Sequence, residues 1–139
     1  MKTFTAVRAL AAEGAIEATV RGSSMAPLLV DGDRVAIAGA RIYLPGEVIA
    51  FRGDDGRLVV HRLLGFRLYR GRLACITRGD AASQPDAPVP LPAILGRVVA
   101  HPGRGALVSW RARCGAAAGY LRLAAGRLRR RFAGSSEAP

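Results

Sequence analysis

Arg21-Gly22-Ser23-Ser24-Met25-Ala26-Pro27-Leu28-Leu29, followed at once by Val30-Asp31-Gly32-Asp33-Arg34-Val35-Ala36-Ile37, is the stretch on which the reading of this chain turns. Ile16 to Arg21 alternates apolar and polar residues, the pattern of a half-buried strand. It ends in a turn of small residues, and Val35 and Ile37 then share one face of a second strand. Gly22 lets the backbone turn tightly and leaves neighbouring N–H groups exposed. Such groups can stabilise an oxyanion. The stretch therefore reads as a serine held at the mouth of an apolar groove. A serine hydroxyl is a poor nucleophile alone and needs a base from elsewhere in the chain. The best candidate lies in Leu58-Val59-Val60-His61-Arg62-Leu63.

Working outward, Thr5 to Glu13 reads as a short helix with Val7, Leu10 and Ala11 on one face, closed by Gly14. Glu47 to Arg52, rich in Val, Ile and Phe, reads as a third strand. Gly53-Asp54-Asp55-Gly56 is a hairpin turn, and Arg57 to Phe66 returns as a fourth strand carrying His61. Arg67 to Thr77 holds further strands around Tyr69-Arg70-Gly71-Arg72. Arg78 to Pro92 is a polar, Pro-rich loop, and Ile94 to His101 is a last strand. Many short strands with close turns predict a mainly β, coiled and partly closed structure rather than a parallel sheet.

At 139 residues the chain can bury a real core. Half the residues are hydrophobic, which excludes disorder throughout. Cys75 and Cys114 are far apart, make neither a disulfide framework nor a metal-ligand spacing, and read as buried thiols. There is no paired His or Cys spacing for a metal and no Gly-rich phosphate loop. No metal or cofactor is expected. No apolar run reaches the roughly 18 residues of a spanning helix.

The net charge of +11 is uneven. Through Gly96 the chain holds 12 Lys+Arg against 9 Asp+Glu, and from Arg97 onward 9 Arg against Glu137 alone. The expected organisation is a β domain over 1–104 and an Arg-rich amphipathic helical tail over 105–139. In the tail Trp110, Cys114, Ala117, Leu121, Ala124 or Ala125, Leu128 and Phe132 recur every three or four residues as one apolar stripe. Two readings of it stand side by side: a basic helix lying on a membrane surface through residues 108–132, or a helix docked on the β domain. Gly115, Gly119 and Gly126 each weaken the helix by roughly 1 kcal/mol. Nucleic acid is disfavoured as a partner, because aromatic side chains for base stacking are sparse.

A resemblance is carried by Gly22-Ser23-Ser24-Met25-Ala26-Pro27-Leu28-Leu29, Asp31-Gly32-Asp33-Arg34-Val35, Pro45-Gly46-Glu47-Val48, Val60-His61-Arg62, Thr77-Arg78-Gly79-Asp80 and Ile94-Leu95-Gly96-Arg97-Val98. Their order over roughly residues 16 to 100 resembles the clan of serine peptidases that holds signal peptidase I and the LexA-type self-cleaving repressors. The resemblance implies Ser24 as nucleophile, with the backbone N–H groups of Ser24 and Ser23 as oxyanion donors. Bacterial members use a lysine base, but the one lysine here is Lys2, and arginine stays protonated and cannot replace it. His61 stands in the lysine's place, as in the endoplasmic-reticulum and archaeal-type signal peptidases. The box ending in Asp80 implies Asp80 as the acid that orients His61, with Asp86 as second choice. Asp31, Asp33 and Glu47 read as structural. Met25, Pro27, Leu28, Val59 and Val60 are expected to line a groove that takes the substrate as an added strand.

The expected function is that of a serine endopeptidase cleaving a precursor or leader peptide through an acyl-enzyme. The location expected is cytoplasmic, with peripheral contact at the inner membrane surface. Two readings of other classes remain open: a non-catalytic peptide-binding module on the same fold, and a membrane-surface adaptor acting through the basic tail. Oligomeric state is not legible.

Overall fold

The central strand Val48–Arg52 shows how the fold uses its residues. Val48 and Ala50 enter one core cluster, and Ile49 and Phe51 enter another on the opposite face. Period-two alternation with every position apolar produces a strand buried on both sides. The molecule, a computed structural model, is described here for residues 2–100 and, in the tail, for Gly115, Ala117, Ala118, residues 120–123, Ala125 and Gly126.

An N-terminal helix, α1 (Lys2–Glu13), precedes β1 (Ile16–Thr19), β2 (Arg34–Ala38), β3 (Val48–Arg52), β4 (Leu58–Tyr69), β5 (Arg72–Arg78), β6 (Val89–Pro90) and β7 (Ile94–Ala100). All neighbours are antiparallel, in the order β1-β2-β7-β3-β4-β5-β6. Three strands stand between β1 and β4, yet both line one cavity. The sheet is therefore curled into a half-barrel, as the chain's short strands and turns predict. Register shifts at Ala36/Ile37, Ala50/Phe51 and Leu63/Gly65 supply the bending, because a bulge increases local twist.

The first cluster fills the concave side with Val20, Met25, Leu29, Val35, Ile37, Val48, Leu95 and Val98, and α1 closes it through Phe4, Val7 and Ala11. Leu10 was expected on that face but is 57% exposed. The contact line runs Phe4-Val7-Ala11, and Leu10 falls one step off it. Gly14 N–H donates to Leu10 O and ends the helix. The second cluster packs Ile49, Phe51, Leu63, Cys75, Val89 and Ile94. Burial pushes the Cys75 thiol up to about 11, the effect of desolvation on a group that ionises to an anion. Cys114, His101 and the expected boundary at 104/105 lie outside the described residues.

The Pro-rich loop contains β6 and a 3-10 turn, Leu91–Ala93, that local propensity does not announce. In the tail the described residues are helical. Tyr120 and Leu123 pack on Leu64 and Ile76, and the Tyr120 hydroxyl donates to Phe66 O. The helix thus docks on β4 and β5. It does so one position off the expected stripe: Ala117, Leu121 and Ala125 are exposed. Trp110, Cys114, Ala124, Leu128 and Phe132 lie outside the described residues. No helix among the described residues is long and apolar enough to cross a membrane.

Candidate active site

Ser24 is held by the turn that follows β1. Gly22 and Gly32 take φ of 84° and 88°, a region that suits glycine. Gly22 N–H donates to Asp31 Oδ1 at 2.8 Å, and Val30 N–H donates to Asp33 Oδ2 at 2.9 Å. Gly32 N–H and Val20 N–H tie the two ends together through Val20 O and Asp33 O. Asp31 and Asp33 are therefore turn-holding residues. Leu29 N–H donates to Met25 O at 3.0 Å, so the chain coils once after Ser24. That coil drives Met25 and Leu29 into the core, with Leu28 packed against it, and turns Pro27 outward.

His61 reaches Ser24 from β4. Its Nε2 lies 3.0 Å from Ser24 Oγ, and its Nδ1 lies 2.7 Å from Asp86 Oδ2. A carboxylate only accepts, so Nδ1 carries the proton toward Asp86 and Nε2 is left to accept from the Ser24 hydroxyl. The tautomer follows from this network. Phe51 sets an edge against the imidazole at 6.1 Å between centroids.

Asp86, not Asp80, is the acid behind the ring. The Asp80 carboxylate is taken up by Arg62, whose Nε and Nη2 donate to Oδ1 and Oδ2 at 2.7 and 2.6 Å. Arg62 also donates to Gly46 O. The first expectation fails because Arg62 adjoins His61 in the strand and points to the opposite face, where it captures Asp80. The six-residue excursion after Asp80 then brings Asp86 back. Asp86 N–H donates to Thr77 O at 2.8 Å, and the fully buried Thr77 Oγ1 donates to Asp86 Oδ2 at 2.6 Å.

Thr77 is a functional residue that the resemblance alone does not single out. A lone hydroxyl in an otherwise apolar strand, Leu73-Ala74-Cys75-Ile76-Thr77, is the signal that could have found it. Gly79 is the other residue missed. A Cβ there would stand 2.6 Å from Ser24 O, 3.1 Å from Ser24 Cβ and 3.2 Å from His61 Nε2. Ala81 N–H donates to that same Ser24 carbonyl at 2.9 Å. The Gly79–Ala81 segment is thus pressed against the serine, and only glycine leaves room for the histidine.

Glu47 is buried, accepts from Leu44 N–H at 2.9 Å and pairs with Arg97 at 2.6 Å. It holds the β3 entry, a structural part as expected. Among the described residues the N–H groups of Ser23 and Ser24 have no intramolecular acceptor.

A cavity of about 310 Å³ opens beside Ser24 and His61, lined by Ala18 to Arg21 from the β1 end and by Leu58, Val59 and Val60 from β4, with Met25 and Val35 at its floor. Met25, Val59 and Val60 occupy the expected groove. Pro27 and Leu28 do not, because the coil after Ser24 carries them away. Among the described residues β1 pairs with β2 alone, and residues 58–61 of β4 pair with β3 alone. Two strand edges with free backbone groups therefore flank the cavity.

Fold and site together define a mainly β protein whose curled antiparallel sheet holds a serine, a histidine and an aspartate in one hydrogen-bonded line at the end of an open-edged cleft. No protein-family model matches this chain, and comparison with curated proteins finds no match, so the definition rests on the geometry alone.

Proposed function

We propose that the protein is a serine endopeptidase, with Ser24 as nucleophile, His61 as general base and Asp86 as the residue that orients and electrostatically supports His61. The observation that carries this reading is the unbroken run Ser24 Oγ–His61 Nε2, His61 Nδ1–Asp86 Oδ2, at 3.0 and 2.7 Å. Ser24 Oγ attacks a peptide carbonyl carbon while its proton passes to Nε2, and Asp86 stabilises the imidazolium that forms. The carbonyl oxygen takes the electron pair and is held by the Ser24 and Ser23 N–H groups; one such donor is worth about 3–4 kcal/mol in the transition state. Nε2–H then protonates the leaving amine, the C–N bond breaks and an acyl-serine remains. Water, giving a proton to Nε2, attacks the ester carbon; the C–Oγ bond breaks, Nε2–H returns its proton to Ser24 Oγ, and the acid leaves.

The substrate fitting this cleft is an extended peptide lying as an added strand along the free edges of β1 and β4, such as a precursor or leader segment. The same open edges support a second reading, a peptide-binding module without turnover. Incubation with a peptide library separates the two. Ser24→Ala and His61→Ala should each lower cleavage by about 10³-fold or more while the circular dichroism stays that of the parent chain. Binding without cleavage by the parent, unchanged in both variants, would establish the module instead.

A further inference from the structure

The β4–β5 hairpin runs well past its neighbours. β3 covers β4 only to Arg62, and β6 covers β5 only at Ala74 and Cys75. The overhanging tip closes at Arg70 and Gly71, both with positive φ, the two-residue turn that matches strand twist. Leu68 and Leu73 are cross-strand partners and share one face; they are 73% and 48% exposed. On the other face the Arg67 and Arg70 guanidiniums stand over the Tyr69 ring, 5.7 and 5.3 Å from its centre. Arg72 stands opposite Tyr69. From Gly56 to Gly79 the sequence contains no Asp or Glu, and among the described residues no carboxylate pairs with Arg67, Arg70 or Arg72.

We propose that this hairpin tip is a membrane-contact element that seats Leu68 and Leu73 in the interface of an anionic bilayer, with Arg67, Arg70 and Arg72 on the phosphates. The leucine pair exposed at a projecting tip gains nothing from a polyanion such as RNA, and the Tyr69 ring already carries two guanidiniums, which compete with a stacking base. A bilayer offers apolar depth and negative charge together. The docked tail helix adds to the same end of the molecule: Tyr120 is bonded to Phe66 O, two residues from Leu68, and Leu121 and Arg122 are exposed. The element differs from the tail stripe expected from sequence, and it does not depend on the peptidase reading.

The test is co-sedimentation of the full chain with vesicles of phosphatidylcholine mixed with phosphatidylglycerol, against vesicles of phosphatidylcholine alone. The parent should bind the anionic vesicles and weaken with salt. Leu68→Ser/Leu73→Ser keeps every charge and sits on the surface, so the fold should persist by circular dichroism while binding falls about tenfold or more. Arg67→Gln/Arg72→Gln should cost about fivefold per arginine. The proposal fails if the parent ignores anionic vesicles. It also fails if the leucine variant binds as tightly as the parent, which would put the contact in the Arg-rich tail. Equal loss of single-stranded RNA and vesicle binding in the arginine variant, with no loss in the leucine variant, would make the tip a polyanion site instead.

Discussion

At the scale of single residues, of two aspartates six positions apart it is the second choice, Asp86, and not the first, Asp80, that stands behind His61. Asp86 shares its Oδ2 between His61 and Thr77, while Asp80 is clamped by Arg62. Their variants should therefore fail differently. Asp86→Asn should lower kcat by up to about 10⁴, since the amide no longer holds the required histidine tautomer, with an unfolding midpoint close to the parent's. Asp80→Asn should leave kcat within about tenfold but destabilise the fold by about 2–3 kcal/mol, because it strands a guanidinium that is 11% exposed. Steady-state kinetics and urea unfolding of both variants check this. The reverse pattern would return the orienting role to Asp80. The serine turn was legible as a local signal, whereas His61 was singled out through the family resemblance and the lack of any lysine but Lys2. The sequence could not choose between the aspartates, because that choice depends on which side of β4 each loop residue reaches.

At the scale of elements, the serine turn and the segment after β5 meet backbone to backbone. Gly79 presses on the Ser24 carbonyl, and Ala81 N–H bonds to it. Gly79→Ala would place a methyl 2.6 Å from that carbonyl and 3.2 Å from Nε2, and one of the two must move. An error of about 1 Å in such a pair can cost on the order of 10²-fold. The variant should thus lose about that in kcat/KM while its far-ultraviolet circular dichroism stays unchanged; an undiminished rate would mean that the segment does not set the serine's position. Strand positions were legible in the alternation of Ile16 to Arg21 and in Val48 to Phe51. So were the strands on either side of the turn at Tyr69-Arg70-Gly71-Arg72; that the segment before Phe66 and the one after it form a single strand was not. The ladder runs on without a break because Arg67, Leu68 and Tyr69 find partners in Ala74, Leu73 and Arg72.

At the scale of the whole molecule, the tail and the sheet are joined at a place where glycine is required by a neighbour far along the chain. A Cβ on Gly65 would stand 2.7 Å from Tyr120 Cδ2 and 2.9 Å from Cε2. Gly65→Ala should expel the ring, uncover Leu64 and Ile76 and cost about 1–2 kcal/mol. Limited proteolysis should then cut the chain faster near residues 115–126 while the sheet remains intact. Equal cleavage of parent and variant would mean that Tyr120 does not hold the tail in solution.

The sequence by itself determined the β class, the positions of most strands and the serine turn. It did so because turn chemistry and period-two patterning act over a few residues. Only the tertiary structure decided which aspartate stands behind His61, which residues line the cleft and which side of the tail helix is covered. Each of these depends on a bulge, a curl of the sheet or a contact between residues distant in sequence, and none of those leaves a local mark. The half-barrel curvature that brings β1 to β4 across three intervening strands is what converts two separate stretches into one site.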